Sequence, residues 1–214
     1  MAVALLVAAG SGECLGAERP KAFAMLGGKP MFQWSLEAID AAGIDEVVIA
    51  MPREMLIVSA AGATAVPGGE VRSASVRNAF EVSSGDPVVV HDAARPLAPP
   101  ELFRRVLDEL RDSGADGVVA AAPMTDTVKR ARGGEVAETL DRSELWSVQT
   151  PQAFRRDALD RALDVSEDVL AAATDDAWLV ERAGGRVRVV EGPPENFKIT
   201  TAADLRRAEE LLAC

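Results

Sequence analysis

The chain has 214 residues and a formal net charge of −11, with 23 Lys and Arg against 34 Asp and Glu. Hydrophobic residues make up 48% of the sequence, enough to bury a core without disulfides or structural metals. This composition excludes an intrinsically disordered chain, and the acidic balance argues against general binding to nucleic acid or to anionic membrane. A polyanionic ligand would therefore have to meet a local cluster of Lys and Arg.

The first apolar run and the two cysteines bear on location. The run covers residues 2–9, which is too short to cross a bilayer and follows no basic segment, so we expect a cytoplasmic protein. Cys14 and Cys214 match neither a metal-ligand spacing nor a disulfide framework. We interpret both as free thiols.

Apolar runs alternate with helical patterns along the chain. Continuous apolar runs predict buried strands at residues 3–9, 46–50, 87–90 and 117–121. A further strand is expected near the end of the chain, at residues 186–190. Helical spacing and helix-start residues predict helices over 30–42, 73–82, 99–110, 156–164, 175–183 and 202–212. This alternation predicts one α/β domain, residues 1–214, with a mainly parallel sheet.

The alternation breaks between Asp126 and Trp146. Two segments of strand character, 127–129 and 135–139, flank Arg132-Gly133-Gly134, which is a strong turn signal. We predict a β-hairpin arm within residues 123–147. Because an isolated two-stranded hairpin is marginal in water, the arm should pack on something, and a second copy of the chain is the expected partner.

A glycine-rich loop follows the first strand. In open α/β sheets ligands bind beyond the carboxyl ends of the strands, where Gly10-Ser11-Gly12 and then Lys21 stand. Glycines let backbone N–H groups approach a phosphate, and a lysine can neutralise it. No Gly-Lys-Ser/Thr closes the loop, so it is not a Walker P-loop. A plain strand-to-helix turn is the alternative.

A second strand end carries charged residues. Asp92 and Arg95 follow the run at 87–90, where they suit a ribose hydroxyl and a phosphate, although an ion pair between them is the alternative. His91, the one histidine, is interpreted as structural rather than as an acid-base catalyst. Further along the chain, Lys198 follows the last predicted strand.

Two more segments carry candidate site residues, each with a structural alternative. Arg72 and Ser75 follow the Gly68-Gly69 turn and should stand at the mouth of a strand-helix junction, or simply begin a helix. Residues 174–176, Thr-Asp-Asp, suit a helix N-cap as well as they suit a place in the site.

Nine short segments in fixed order carry a family resemblance: 8–12, 20–21, 68–75, 91–96, 126–127, 141–146, 150–152, 174–175 and 196–198. In this order they resemble the 2-C-methyl-D-erythritol 4-phosphate cytidylyltransferases of the non-mevalonate isoprenoid pathway, and the match covers essentially the whole chain. Each motif alone is modest, whereas their joint spacing is specific.

The resemblance implies a Rossmann-like nucleotidyltransferase fold and a Mg²⁺-dependent attack of methylerythritol phosphate on the α-phosphorus of CTP, with release of pyrophosphate. No covalent enzyme intermediate is implied. Because the difficulty is crowded negative charge, positioning and electrostatic stabilisation would do the catalysis. The substrate phosphates would hold Mg²⁺, which gives up its water reluctantly.

By the same resemblance, Gly10, Ser11 and Gly12 would cradle the triphosphate. Lys21 would face the α-phosphate, and Lys198 would hold phosphate oxygens from the far side.

Other residues would bind the remaining parts of the substrates. Those for the nucleoside are Ser75 and the backbone near Gly69, at the cytosine, and Asp92, at the ribose. Arg72 is a further substrate-binding residue. Those bounding the sugar-phosphate pocket are Thr150, Thr174 and Arg95. Those reaching the partner subunit's site from the arm are Asp126, Thr127 and Arg142, which makes a homodimer part of the mechanism.

One position departs from the family pattern. The family normally has Arg where this chain has Cys14, and a neutral thiol cannot replace a guanidinium. The resemblance therefore implies either an enzyme weakened at this position, or compensation by Arg19, or a loop used differently. We hypothesise that Arg19 compensates only in part, because Pro20 fixes the local chain direction.

Other functions are also compatible with the sequence. A ribitol 5-phosphate cytidylyltransferase shares the loop and the segment at 91–96, and a non-catalytic CTP-binding module would account for Cys14. A dehydrogenase is disfavoured, because Gly10, Gly12 and Gly16 lack the G-x-G-x-x-G spacing.

Overall fold

A computed structural model describes residues 1–10, 20–56 and 62–213. Within them a seven-stranded sheet carries helices on both faces. Its strands are β1 (Val3–Val7), β4 (Glu46–Met51), β5 (Thr64–Pro67), β6 (Val88–Asp92), β7 (Gly117–Pro123), β10 (Trp146–Phe154) and β11 (Val187–Glu191). The α-helices are α1 (Met31–Ala41), α2 (Arg72–Val82), α3 (Pro100–Ser113), α4 (Arg156–Leu163), α5 (Glu167–Ala172), α6 (Asp176–Arg182) and α7 (Ala202–Leu212). Two short pairs complete the strands: β2 (Met25–Leu26) with β3 (Lys29–Pro30), and β8 (Lys129–Arg132) with β9 (Glu135–Thr139).

The sheet order is β11-β7-β10-β6-β1-β4-β5. Strand β1 lies between β6 and β4 and is parallel to both, with Val3 opposite Val88 on one side and Glu46 on the other. Of these seven strands, β10 runs antiparallel to its neighbours β6 and β7. The prediction of an α/β fold with a mainly parallel sheet is therefore confirmed.

Each face of the sheet packs on its own set of helices. Because successive side chains of a strand point to opposite faces, Ala4 and Leu6 pack with α1 and α3, whereas Val3 and Leu5 pack with the helices of the other face. These other-face helices are α2, α4, α5 and α6. Helix α7 packs separately, where Ala208 meets the small core around the β2–β3 pair.

Strand β10 was not predicted. It carries the polar residues Gln149, Thr150 and Gln152 and an internal Pro151, so it shows neither an apolar run nor regular alternation. Its ladder with β7 shifts register between Val148 and Gln152, around the proline. Despite this composition the second half of β10 is buried, because β6 and β7 flank it on both sides.

The hairpin is confirmed. Strands β8 and β9 pair antiparallel, and Gly133 and Gly134 turn between them with φ of 56° and 86°. Both positive φ values suit a two-residue hairpin turn, which only glycine and a few other residues adopt readily. Every residue of the two strands is exposed, so within the described part of this chain the hairpin has no packing partner that buries it.

No helix within the described part of the chain is both long and apolar enough to cross a membrane.

Candidate functional site

A cavity of about 460 Å³ lies beyond the carboxyl ends of β1 and β6. From β1 the chain continues to β4 on one side of it, whereas from β6 it continues to β7 on the other side. Strand order therefore reverses at this point, which is where open α/β sheets bind ligands. The cavity walls come from the end of β1, the start of α2, the end of β6 and Lys198.

The wall beside α2 is backbone-rich because two glycines allow a close approach. A Cβ on Gly68 would come within 2.2 Å of the Ala9 Cβ, and one on Gly69 within 2.5 Å of the Ala74 Cβ. The Gly69 N–H donates to Ser75 Oγ at 3.0 Å, which closes the turn against the helix. No side chain caps α2, so the positive end of the helix dipole stands at the cavity and favours negative charge there.

A second wall is formed by alternating charges. Asp92 accepts from Arg72 Nε through Oδ1 at 2.8 Å and from Lys198 Nζ through Oδ2 at 2.7 Å. Arg72 also donates through Nη1 to Oδ2 of Asp176, at 2.6 Å. Four charged groups from α6, α2, β6 and the segment after β11 thus form one row, which we call the charge row: Asp176, Arg72, Asp92 and Lys198.

The charge row shifts the pKa values of its members. Burial opposes ionisation of Asp92, but Arg72 and Lys198 outweigh it and hold the pKa of this carboxyl well below its usual range. Burial likewise works against the Arg72 charge, and Asp176 and Asp92 outweigh it and raise the pKa of the guanidinium. Burial raises the pKa of Asp176, with Arg72 partly offsetting the effect. Asp92 is therefore a fixed anion between two cations.

His91 lies behind the charge row and is fully buried. Its Nε2 is 3.2 Å from the Arg95 carbonyl oxygen, so this nitrogen donates, and Nδ1 accepts from Thr150 Oγ1 at 3.0 Å. Thr150 Oγ1 also accepts from the Asp92 N–H at 3.0 Å. Burial lowers the pKa of His91 to about 4. The ring is a neutral structural element that connects β6 to β10, as predicted.

Arg95 forms the far side of this region. Its Nη1 donates to the Asn196 carbonyl at 2.7 Å and its Nη2 to the Val148 carbonyl at 3.2 Å. The Asn196 amide in turn donates to Gln149 Oε1 and to the Thr150 carbonyl, both at 2.8 Å. The alternative interpretation, an ion pair between Asp92 and Arg95, is wrong. Asp92 instead pairs with Arg72 and Lys198.

The predicted site residues fall into three groups. Those that line the cavity together are Gly10, Lys21, Gly69, Arg72, Ser75, Asp92 and Lys198. Those outside its lining are Arg95, Thr150 and Thr174 near the sheet end, and the exposed Asp126, Thr127 and Arg142 at the arm. Those outside the described residues are Ser11, Gly12, Cys14 and Arg19, although Lys21 N–H donates to the Gly10 carbonyl at 3.4 Å and so connects the two ends of that loop.

Two functional candidates had no functional interpretation in the sequence. Asp176 was seen only as part of a helix start, and Asn196 only as a neighbour of Lys198. Asp175 is indeed the N-cap of α6, accepting from Trp178 N–H at 2.8 Å, which left its neighbour free to face Arg72. The sequence signal that could have identified Asp176 is the presence of two adjacent acidic residues at a helix start, where one is enough for the N-cap.

The fold is that of an α/β nucleotidyltransferase, and its cavity places the N-terminus of α2 and the cations Lys21, Arg72 and Lys198 at a strand-order reversal. The family model for 2-C-methyl-D-erythritol 4-phosphate cytidylyltransferase matches residues 2–213. The chain belongs to this family.

Relatives and solved structures of the same family match over nearly the full length. The enzyme so named from Deinococcus radiodurans is 44% identical, over 97% of this chain and 88% of its own. The one from Rhodococcus jostii is 45% identical, over 98% and 94%. The crystal structure of the Thermus thermophilus cytidylyltransferase superposes with a TM-score of 0.86 at 34% identity, and the match covers 100% of both chains.

Proposed function

We propose that this chain transfers the cytidylyl group of CTP to 2-C-methyl-D-erythritol 4-phosphate, with release of pyrophosphate, in isoprenoid precursor synthesis. The observation that carries the proposal is the cavity at the β1 and β6 ends, where the cations Lys21, Arg72 and Lys198 outnumber the carboxylates Glu70 and Asp92 and the N-terminus of α2 opens, in a chain of net charge −11. Such a site suits a triphosphate, which the rest of the molecule would repel.

The nucleoside is proposed to bind between α2 and β6. The turn at Gly69, closed by Ser75, offers backbone and hydroxyl groups to the cytosine, and Asp92 offers an anionic acceptor to the ribose hydroxyls. Asp92 keeps this role at neutral pH because its pKa is held low. Arg72 fixes the carboxylate at the cavity wall.

The triphosphate is proposed to lie along Gly10 and the start of the loop, with Lys21 facing the α-phosphate. The phosphate oxyanion of the acceptor attacks the α-phosphorus, a new P–O bond forms, and the bond to the β-phosphate oxygen breaks to release pyrophosphate. Lys21 and Lys198 stabilise the charge that builds on the transferred phosphorus from opposite sides. Lys198 would leave Asp92 in part when it takes up a phosphate oxygen.

The acceptor is proposed to bind beside Arg95, Thr150 and Thr174. Thr150 contributes through position, since its hydroxyl is bonded inside the sheet to His91 and the Asp92 amide. Arg95 is held by two carbonyl oxygens and presents a guanidinium oriented before the acceptor arrives.

A homodimer is proposed to complete the site. The arm, residues 123–147, is exposed throughout its hairpin, and Val136, Trp146 and Val148 present apolar surface that a second copy would cover. Asp126, Thr127 and Arg142 at its base would then reach the partner's acceptor pocket. A cytoplasmic location remains part of the proposal.

Magnesium is proposed to enter on the substrate phosphates. The described residues contain no group of three or more His, Cys, Asp or Glu side chains that could hold a metal ion, and the carboxylates that line the cavity are Glu70 and Asp92. This donor set fits a cation ligated mainly by phosphate oxygens and water. When bound there, Mg²⁺ supplies charge neutralisation to the triphosphate.

The test is pyrophosphate release by the purified chain with Mg²⁺, using CTP, UTP or ATP as donor and methylerythritol phosphate or ribitol 5-phosphate as acceptor. We expect turnover with CTP and methylerythritol phosphate, the substrate class of the relatives. Turnover restricted to ribitol 5-phosphate would overturn the acceptor, and CTP binding without pyrophosphate release would indicate a binding module.

A further inference from the structure

Asp176 stands at the inner end of the charge row, away from any predicted contact with substrate. It is the first residue of α6 and its side chain is 0% exposed. Its Oδ2 accepts from Arg72 Nη1, whereas its Oδ1 is buried and has no hydrogen-bond partner among the described residues. The carboxylate is thus committed to one guanidinium.

Stability is a poor explanation for this arrangement. Burying a carboxylate is costly, and a buried ion pair often contributes no more than well-packed apolar side chains would. Asp176 also leaves one oxygen unsatisfied, which adds to the cost. The cap of α6 comes from Asp175, so the helix does not need Asp176 for that purpose.

Arg72, by contrast, needs an anchor. Its side chain is a quarter exposed at the cavity wall, and a long flexible side chain loses rotamer freedom whenever it is fixed by a ligand. With Nη1 on Asp176 and Nε on Asp92, the guanidinium is fixed at two points before the nucleotide arrives.

We infer that Asp176 is a positioning residue for CTP: it holds Arg72 in the orientation that fixes Asp92 at the nucleoside side of the cavity. The inference rests on the proposed function and deepens it. Asp176 acts through Arg72 and touches no substrate. Its removal therefore weakens the binding of CTP, and this weakening disappears when Arg72 has already been removed.

The test is a double-mutant cycle on CTP binding, measured by calorimetry with Mg²⁺ on the unmodified chain, Asp176→Asn, Arg72→Gln and the double variant. We expect Asp176→Asn to weaken CTP binding by about tenfold or more. The double variant should bind CTP as Arg72→Gln alone does. In steady-state kinetics, the KM for CTP should rise in Asp176→Asn while the KM for the acceptor stays unchanged.

The matched control is Asp157→Asn. Asp157 also lies in the first turn of a helix and also pairs with an arginine, Arg161 at 2.9 Å, but it is exposed and remote from the cavity. It should leave CTP binding unchanged. Unchanged CTP affinity in Asp176→Asn would overturn the inference. A double variant whose loss of CTP affinity equals the product of the two single losses would overturn it as well.

Misfolding of a variant and failure of the proposed function give results that can be distinguished from failure of the inference. If thermal melting shows that Asp176→Asn does not fold, the cycle is run with Asp176→Glu, which keeps the charge but displaces the guanidinium by one methylene. Weakened binding that depends on Arg72 supports the inference, and unchanged binding overturns it. Failure of the unmodified chain to bind CTP would overturn the proposed function, and this inference with it.

Discussion

At the scale of single residues, the site depends on which charges face one another. Asp92 was predicted at a strand end from local sequence, and it is there. Its partner Arg72 was also predicted, but the contact of Arg72 with Asp176 joins residues 104 positions apart. No local pattern encodes such a pairing, because it arises only when α2 and α6 pack on the same face of the sheet.

Cys14 is the residue for which sequence and family pattern disagree most. Replacing it with arginine should raise turnover, because the resemblance implies that a guanidinium at this position would stabilise the charge that develops on the phosphates. The gain should approach 10²–10³-fold, on the order of what one transition-state donor supplies. The measurement is kcat for pyrophosphate release by Cys14→Arg beside the unmodified chain, and an unchanged kcat would contradict the prediction.

His91 should make the stability of the fold sensitive to mild acid. Its folded pKa is about 4 against 6.5 for the unperturbed side chain, so between these values the unfolded chain binds more protons. Stability contributed by neutral His91 is therefore complete above pH 6.5 and is lost as the pH falls toward 4, with a slope of up to about 1.4 kcal/mol per pH unit.

Urea unfolding at pH 7 and pH 5 measures this effect. His91→Gln should lose less stability between the two pH values than the unmodified chain does, whatever its stability at pH 7. The raised pKa of Asp176 acts in the opposite direction, but it is present in both proteins and cancels in the comparison. Equal pH dependence in the two proteins would show that His91 is not the titrating group.

At the scale of elements, apolar strands and amphipathic helices were predictable and β10 was not. Strands such as β1 and β6 are apolar over most of their length, whereas β10 carries the polar residues Gln149, Thr150 and Gln152. Thr150 and Gln149 hold His91 and Asn196 through hydrogen bonds, so their burial is satisfied by partners distant in sequence. Buried polar side chains with distant partners thus hide the strand signal.

The arm gives a prediction at the same scale. Val136 on β9 is 62% exposed, and a glutamate there would place a charge in the proposed dimer interface, so Val136→Glu should shift the protein from dimer to monomer. Val82, at the end of α2, is 55% exposed and offers a matched control, because Val82→Glu adds the same charge away from the arm. Analytical ultracentrifugation measures the mass of each variant in solution. Equal masses for Val136→Glu and Val82→Glu would show that the arm does not form the dimer interface.

At the scale of the whole molecule, an acidic protein places three cations together where the sheet reverses its strand order. The overall charge of −11 keeps polyanions away from most of the surface, while Lys21, Arg72 and Lys198 gather at one cavity. Composition alone predicted that a polyanionic ligand would need such a cluster. The fold then supplies it by bringing the ends of β1 and β6, the start of α2 and the segment after β11 together.

The central claim is that CTP is attacked in this cavity, and Lys198 tests it most directly. The measurement is kcat for pyrophosphate release from CTP and methylerythritol phosphate by the unmodified chain, Lys198→Gln and Lys29→Gln. Lys29 is also a lysine with a carboxylate partner, Glu37, but lies over Trp34 outside the cavity. We predict a loss on the order of 10²–10³-fold in Lys198→Gln and none in Lys29→Gln. Full activity of Lys198→Gln would contradict the account.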